Sequence, residues 1–132
     1  MGESELELGA RFTPRFDENG LIPVITQCAK TNAVLMLAFM NRLALGKTIE
    51  TKKAHYWSRS RDCLWLKGET SGQIQKVTEI RTDCDQDTIL LKVEIAGDGG
   101  CCHVGFENCF YRALDDGTLV IDGKKPLRTG CD

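Results

Sequence analysis

The sequence contains no C-x-x-C pair, and that absence disfavours both a zinc ribbon and a thioredoxin-type redox motif. It has no Gly-Lys-Ser/Thr after its glycine-rich stretch, so a Walker-type phosphate loop is excluded. Neither His-x-Glu nor Pro-Cys-x-x-Cys occurs, which argues against a zinc nucleoside or nucleotide deaminase. No apolar run approaches the length of a membrane span, so no membrane partner is expected. The opening residues, Met1-Gly2-Glu3-Ser4-Glu5-Leu6-Glu7-Leu8, are acidic and lack the basic and apolar regions of a signal peptide. Gly2 does not begin a myristoylation pattern, because the sixth residue is Leu6 rather than Ser or Thr. Positive charge is not in excess either. The net charge of -2 gives no global reason to expect nucleic acid. A cytoplasmic protein is the expectation. There is no internal repeat and no low-complexity segment.

What is present fits one ordinary domain. The chain has 132 residues, 42% apolar and 27% charged, enough for one core and too few for two comfortably. Seven cysteines, an odd number without an export signal, argue against a disulfide framework. Cys28, Cys63 and Cys131 stand apart and read as plain core or surface thiols. Cys84, Cys101, Cys102 and Cys109 crowd into one short segment with His103 and three aspartates.

That segment, 82–111, is read as a metal site. Thiolates and imidazole suit zinc, whereas carboxylates suit magnesium, calcium or manganese. On an extended backbone successive side chains point to opposite faces. Asp83, Asp85 and Asp87 would then share one face and Cys84 the other. One element could carry a hard-cation cluster and donate one thiolate to a softer metal, with Cys102 and Cys109 as its partners. Three protein ligands and an open position describe a catalytic zinc, and four describe a structural one. The bland readings are a solvated strand edge for the aspartates and small buried hydrophobes for the cysteines.

The pattern predicts a mainly β fold with one helix. Residues 1–19 read as a lead-in of low order and 115–132 as a tail. Leu21–Ala29, with Pro23 at an edge or near the start, and Val34–Met40 form a hairpin around Lys30-Thr31-Asn32. Asn41 is a good N-cap for a helix to about Thr51, with Leu43, Leu45 and Ile49 as its apolar side. Strands are predicted at Ala54–Ser60, Cys63–Lys67, Gln73–Thr82, Ile89–Ile95, Cys101–Phe106, Phe110–Leu114 and Leu119–Ile121. Gly97-Asp98-Gly99-Gly100 is a turn. Many short strands and one helix argue for a small closed or nearly closed sheet.

Two further stretches carry binding chemistry. His55-Tyr56-Trp57-Ser58-Arg59-Ser60-Arg61 interleaves aromatics, hydroxyls and guanidiniums, a mix suited to a phosphorylated ring-bearing ligand. An amphipathic strand with arginines in solvent is the commoner source of such a stretch. Lys67-Gly68-Glu69-Thr70-Ser71-Gly72 could form an anion-binding nest of backbone amides, although most such loops are only turns.

These motifs, with Asp83-Cys84-Asp85-Gln86-Asp87 and Cys102-His103-Val104-Gly105 to Cys109-Phe110-Tyr111-Arg112, stand in the order found in the phosphoribosyl-AMP cyclohydrolase family. Val34–Arg42 also resembles that family's early hairpin and helix start. The resemblance runs from about Gly20 to Leu114. It implies a small β pseudobarrel capped by a helix, an intertwined homodimer, and a nucleotide substrate. The implied reaction is hydrolytic opening of the adenine ring of N1-(5-phosphoribosyl)-AMP at the N1–C6 bond, the third step of histidine biosynthesis. Zinc (Zn2+) would be held by Cys84, Cys102 and Cys109, with Cys84 supplied by the partner subunit. Magnesium (Mg2+) would sit on Asp83, Asp85 and Asp87. Zinc would activate water for attack at C6, and His103 would shuttle the proton. As an alternative, His103 orients the site or serves as a fourth ligand. His55 reads as a wall residue beside Trp57. Trp57, Ser58, Arg59, Ser60, Arg61, Lys67, Ser71 and Gly72 are the expected substrate-binding residues. The chain departs from the family pattern at Cys101 (usually a small residue such as alanine), Val104 (usually threonine) and Asn108 (usually serine). Some relatives carry a second domain that removes pyrophosphate; here a single domain over 1–132 is expected. The competing reading is a structural zinc-binding module that docks a partner protein.

Overall fold

Alternating burial along two strands organises the domain. The computed structural model describes residues 3–97 and 100–125. In β1 (Ile22–Cys28), Ile22, Val24 and Thr26 are buried while their neighbours are half-buried. In β6 (Ile89–Ile95), Ile89, Leu91 and Val93 are buried in the same alternation. Period-two burial places one face of each strand on the core. The two strands lie side by side and parallel, Val24 opposite Ile89 through Cys28 opposite Val93. β2 (Val34–Met40) pairs antiparallel with β1, and β5 (Gln75–Thr82) antiparallel with β6. The sheet order is therefore β2-β1-β6-β5. Pro23 lies one residue before the β6 pairing begins, so its missing N–H takes nothing from that ladder.

The sequence predicts a hairpin for β1 and β2, and it forms. Asn32 in the left-handed region (φ 64) closes it, its N–H donating to the Cys28 carbonyl at 2.9 Å. The predicted N-cap also forms. Asn41 Oδ1 accepts from the Ala44 N–H at 2.9 Å and starts α2 (Arg42–Thr51). Left-handed Lys52 ends the helix, its N–H donating to the Thr48 carbonyl. The buried side of α2 is Ala44, Leu45 and Thr48. Of the expected apolar side only Leu45 is buried, and Leu43 and Ile49 face outward. The reason is Thr48: its hydroxyl donates to the Ala44 carbonyl and accepts the His55 N–H at 2.9 Å, which turns that stripe of the helix onto the strand beginning at His55.

Two ribbons complete the fold: β3 (His55–Ser58) with β4 (Cys63–Leu66), and β7 (Arg112–Asp115) with β8 (Thr118–Ile121). Among the described residues the four-stranded sheet does not close on itself, because β2 and β5 are its edges. The predicted strand Cys101–Phe106 is a turn instead, drawn tight by the Cys102 N–H on the Phe106 carbonyl (3.0 Å) and the Gly105 N–H on the Cys102 carbonyl (2.7 Å). The expected lead-in carries a short helix, α1 (Glu3–Leu8). Asp98, Gly99 and the 126–132 part of the tail lie outside the described residues.

A buried polar chain links ribbon, sheet and loop. Tyr56 in β3 is fully buried; its hydroxyl donates to Gln75 Oε1 (2.6 Å) and accepts from Thr26 Oγ1 (2.7 Å). Gln75 Nε2 in turn donates to Met36 Sδ (3.2 Å) and Cys101 Sγ (3.3 Å). Replacing Tyr56 by Phe keeps the ring and strands two buried polar groups. Urea unfolding should show a loss of about 1–3 kcal/mol with an unchanged slope.

Candidate active site

The turn over 101–106 and the edge of the sheet bring two thiols together. Cys102 is buried in the turn. Cys109 is pinned to β2 by its N–H, which donates to the Leu35 carbonyl at 2.7 Å. Their side chains hydrogen-bond to each other. Cys109 is exposed as a residue, yet desolvation of its thiol, reinforced by Cys102 and Cys101, pushes its pKa up to about 12, with Lys67 opposing. Burial likewise pushes the Cys101 thiol up, against Lys67 and the Gln75 hydrogen bond. Lys67 is itself buried, its ammonium 5.2 Å from the Trp65 ring centroid.

This thiol corner opens onto a cleft of about 400 Å³ lined by Arg61, Lys67, Ser71, Cys101, Cys102 and His103, among others. His103 is exposed at its wall. The expected substrate residues divide here. Arg61, Lys67 and Ser71 line this cleft, whereas Trp57, Ser58, Arg59 and Ser60 line a second one of about 330 Å³ with Leu37 and Phe39. Trp65 borders both clefts. Arg59 stacks its guanidinium 4.0 Å from the Phe39 ring centroid. Gly72 lines neither cleft. Its N–H closes the loop on the Gly68 carbonyl at 2.8 Å, so that amide is not available to an anion as a nest would require. Gly68 is required sterically: at φ 86, a Cβ would meet the Gln73 and Ile74 backbone within 2.4 Å. His55 is buried against α2 rather than set in either cleft, its Nδ1 2.8 Å from the Lys53 carbonyl.

Asp83, Asp85 and Asp87 converge, each offering an oxygen within 4.8 Å of the others. The route differs from strand alternation. β5 ends at Thr82 and residues 83–88 form a turn, with Gln86 left-handed at φ 58. Asp83 Oδ1 accepts from the Asp87 N–H (3.0 Å) and the Thr88 N–H (3.1 Å). Burial works to raise the Asp83 pKa, but hydrogen bonds from the Asp87 carboxyl and these two amides outweigh it and hold it low. Asp87, hydrogen-bonded to Asp85 and Asp83, is pushed up to about 6. Three converging carboxylates are a donor set suited to a hard divalent cation.

Cys84 belongs to this turn and is exposed. Among the described residues of one chain it does not join Cys102 and Cys109 in a three-ligand group. The pair at the thiol corner therefore offers zinc two soft donors per chain, and a complete set needs a third from elsewhere.

Sequence reasoning passed over Gln86. It is 4% exposed and bonds to the N-terminal segment rather than to the aspartates' open side. Its place among four acidic or thiol residues hid it, although a lone amide inside an acidic run was a signal. Gln75, which reaches Cys101, had none beyond its position in a strand.

Fold and site together define a small α+β enzyme whose cationic cleft, set against thiols, suits a charged small molecule. The phosphoribosyl-AMP cyclohydrolase family model matches residues 36–111. The phosphoribosyl-AMP cyclohydrolase of Caulobacter sp. (strain K31) is 58% identical over 118 residues, covering 89% of this chain and 88% of that protein. That of Hyphomonas neptunium is 61% identical over 111 residues, covering 84% and 83%. That of Mesorhizobium japonicum is 54% identical over 126 residues, covering 92% and 82%. The chain belongs to the phosphoribosyl-AMP cyclohydrolase family, hydrolases of histidine biosynthesis. That membership sets aside the docking-module reading. Among the described residues no helix is long and apolar enough to cross a membrane.

The acidic turn makes a pH prediction. A carboxyl whose folded pKa lies above its ordinary value favours the fold while protonated, and that contribution is lost as pH rises through about 6. A carboxyl-carbon NMR titration should place the Asp87 midpoint near about 6, and saturating Mg2+ should move it down by competing with the proton. A midpoint in the ordinary carboxylate range without metal would contradict the convergence.

Proposed function

We propose that this chain hydrolyses N1-(5-phosphoribosyl)-AMP at the N1–C6 bond of the adenine ring. In this reading zinc is held by Cys102 and Cys109 of one protomer and the partner's Cys84, and magnesium by Asp83, Asp85 and Asp87. The carrying observation is that Cys102, hydrogen-bonded to Cys109, lines the cleft that also holds Lys67, Arg61 and His103.

The residues divide the work by charge. Lys67 is buried without an ion-pair partner among the described residues, so it presents a desolvated positive charge to a substrate phosphate. Arg61 can fork onto the same phosphate, with Ser71 as a hydroxyl donor. Trp65 walls the cleft as an apolar surface for the base. Zinc, when bound, supplies the Lewis acidity that brings the pKa of water towards ~7. His103 then takes a proton from the attacking water and returns one to N1 as the N1–C6 bond breaks. The water oxygen becomes the carboxamide oxygen at C6, and the formimino nitrogen leaves protonated. The Asp83–Asp85–Asp87 turn would hold magnesium for charge neutralisation of a phosphate.

Two features support a homodimer whose pseudobarrel is completed between copies. Cys84 lies apart from the thiol corner within one chain. Every residue of the β7–β8 ribbon is exposed, including Leu114, Leu119, Val120 and Ile121, and Leu43 and Ile49 of α2 and Phe110 are uncovered. A ribbon with four exposed apolar side chains favours an interface there.

Cys109→Ala should lose bound zinc and ring-opening activity together, read by metal analysis and by the change in ultraviolet absorbance. Full activity of that variant in metal-stripped form would refute the mechanism. Cys84→Ala and Cys109→Ala, each inactive alone, should regain about a quarter of wild-type activity when unfolded and refolded together. Half of the dimers are then mixed, and each mixed dimer has one complete site of two. No recovery would place all three thiols in one chain.

A further inference from the structure

We infer that Gln86 is a positioning residue that ties the N-terminal segment to the acidic turn and sets the geometry of Asp83, Asp85 and Asp87; this rests on the magnesium reading of that turn. The side chain makes three hydrogen bonds to backbone more than seventy residues away in sequence. Gln86 Oε1 accepts the Thr13 N–H at 2.6 Å. Its Nε2 donates to the Leu6 carbonyl at 3.0 Å and the Arg11 carbonyl at 3.2 Å. Its own carbonyl accepts the Arg15 N–H at 2.7 Å. Residues 6–15 are thus strapped across the turn, beside an open cleft of about 300 Å³ lined by Thr82, Asp83 and Cys84 from the turn and by Leu6, Arg11 and Phe12 from the strap.

The coupling to the aspartates is direct. Gln86 sits in the left-handed region, where a non-glycine side chain is disfavoured unless its surroundings hold it. Its N–H donates to the Asp83 carbonyl at 3.2 Å, and the same turn delivers the Asp87 and Thr88 amides to the Asp83 carboxylate. The amide thus holds in one conformation the turn from which the three carboxylates converge. A carboxamide suits this position because it accepts once and donates twice. A carboxylate would keep only the acceptance and add a fourth negative charge.

The test uses the full chain and Mn2+ as the probe, read by electron paramagnetic resonance. Gln86→Gly removes the side chain and tolerates the left-handed backbone. Thr13→Pro removes one donor from the strap side. Gln86→Gly should weaken Mn2+ binding about 10–100-fold, the usual range for a residue behind the ligands, and Thr13→Pro should act in the same direction. Circular dichroism at the same temperature must show both variants folded. Exchange of the Asp87 and Thr88 amide protons should quicken in Gln86→Gly. Wild-type Mn2+ affinity in a folded but less heat-stable Gln86→Gly would mean a purely structural role and overturn the inference. Wild-type binding no tighter than that of Asp83→Asn would instead sink the magnesium reading, and unchanged amide exchange would then sink the strap as well.

Discussion

The hydroxyl of Tyr56 is where the parts of this domain meet. It belongs to a two-stranded ribbon, but its hydrogen bonds run to Thr26 on the second strand of the sheet and Gln75 on the opposite edge strand. A polar group with no access to water must find partners or impose a desolvation penalty. That requirement ties the ribbon to the sheet, and with it Trp65 and Lys67, which line the same cleft as Cys101 and Cys102. The chain of bonds ends on Cys101 Sγ through Gln75, one residue before Cys102. The core is thereby connected to the reactive corner by polar contacts as well as by packing. Cys101 gives Gln75 an acceptor there.

A second constraint is the separation of donors. Cys102 and Cys109 converge as soft donors beside the cleft, while Asp83, Asp85 and Asp87 converge as hard donors in the β5–β6 turn. Cys84 is built into the hard set although its chemistry belongs to the soft one. In the proposed homodimer, two-fold symmetry would resolve this conflict by pairing each acidic turn with the other copy's thiol corner. The same symmetry would give the exposed β7–β8 ribbon a surface to cover. Catalytic and structural requirements would then fall on one interface. Gln86 extends the arrangement backward, since the turn carrying Cys84 is held from behind by residues 6–15.

Much of the fold was legible because local chemistry decided it. The β1–β2 hairpin follows from two apolar runs and a turn residue that tolerates positive φ. The start of α2 follows from Asn41, whose side chain satisfies a helix amide wherever the helix packs. The limits of β6 follow from its apolar run. The bulge between Val77 and Glu79 accounts for the break in alternating burial at Thr78 and Glu79 in β5. Local pattern misleads where a long-range partner outweighs it. Residues 101–106 have strand-like composition, but the buried Cys101–Cys102 corner requires a turn. Leu43 and Ile49 have the right spacing for a buried stripe, but the two hydrogen bonds of Thr48 select a different one.

By itself, the amino-acid order determined which atoms are available: thiols for a soft metal, carboxylates for a hard one, guanidiniums and an ammonium for phosphate. Ligand softness and charge are properties of side chains, so they survive without coordinates. Only the tertiary structure decided which of these atoms share a space. It set Lys67 with the Cys101–Cys102–Cys109 corner, sent Trp57 and Arg59 to a separate cleft, and gathered the aspartates by a turn instead of a strand. It also bound residues 6–15 to Gln86. Contacts between residues far apart in the chain depend on the packing of the whole core, and no local window of sequence carries that information.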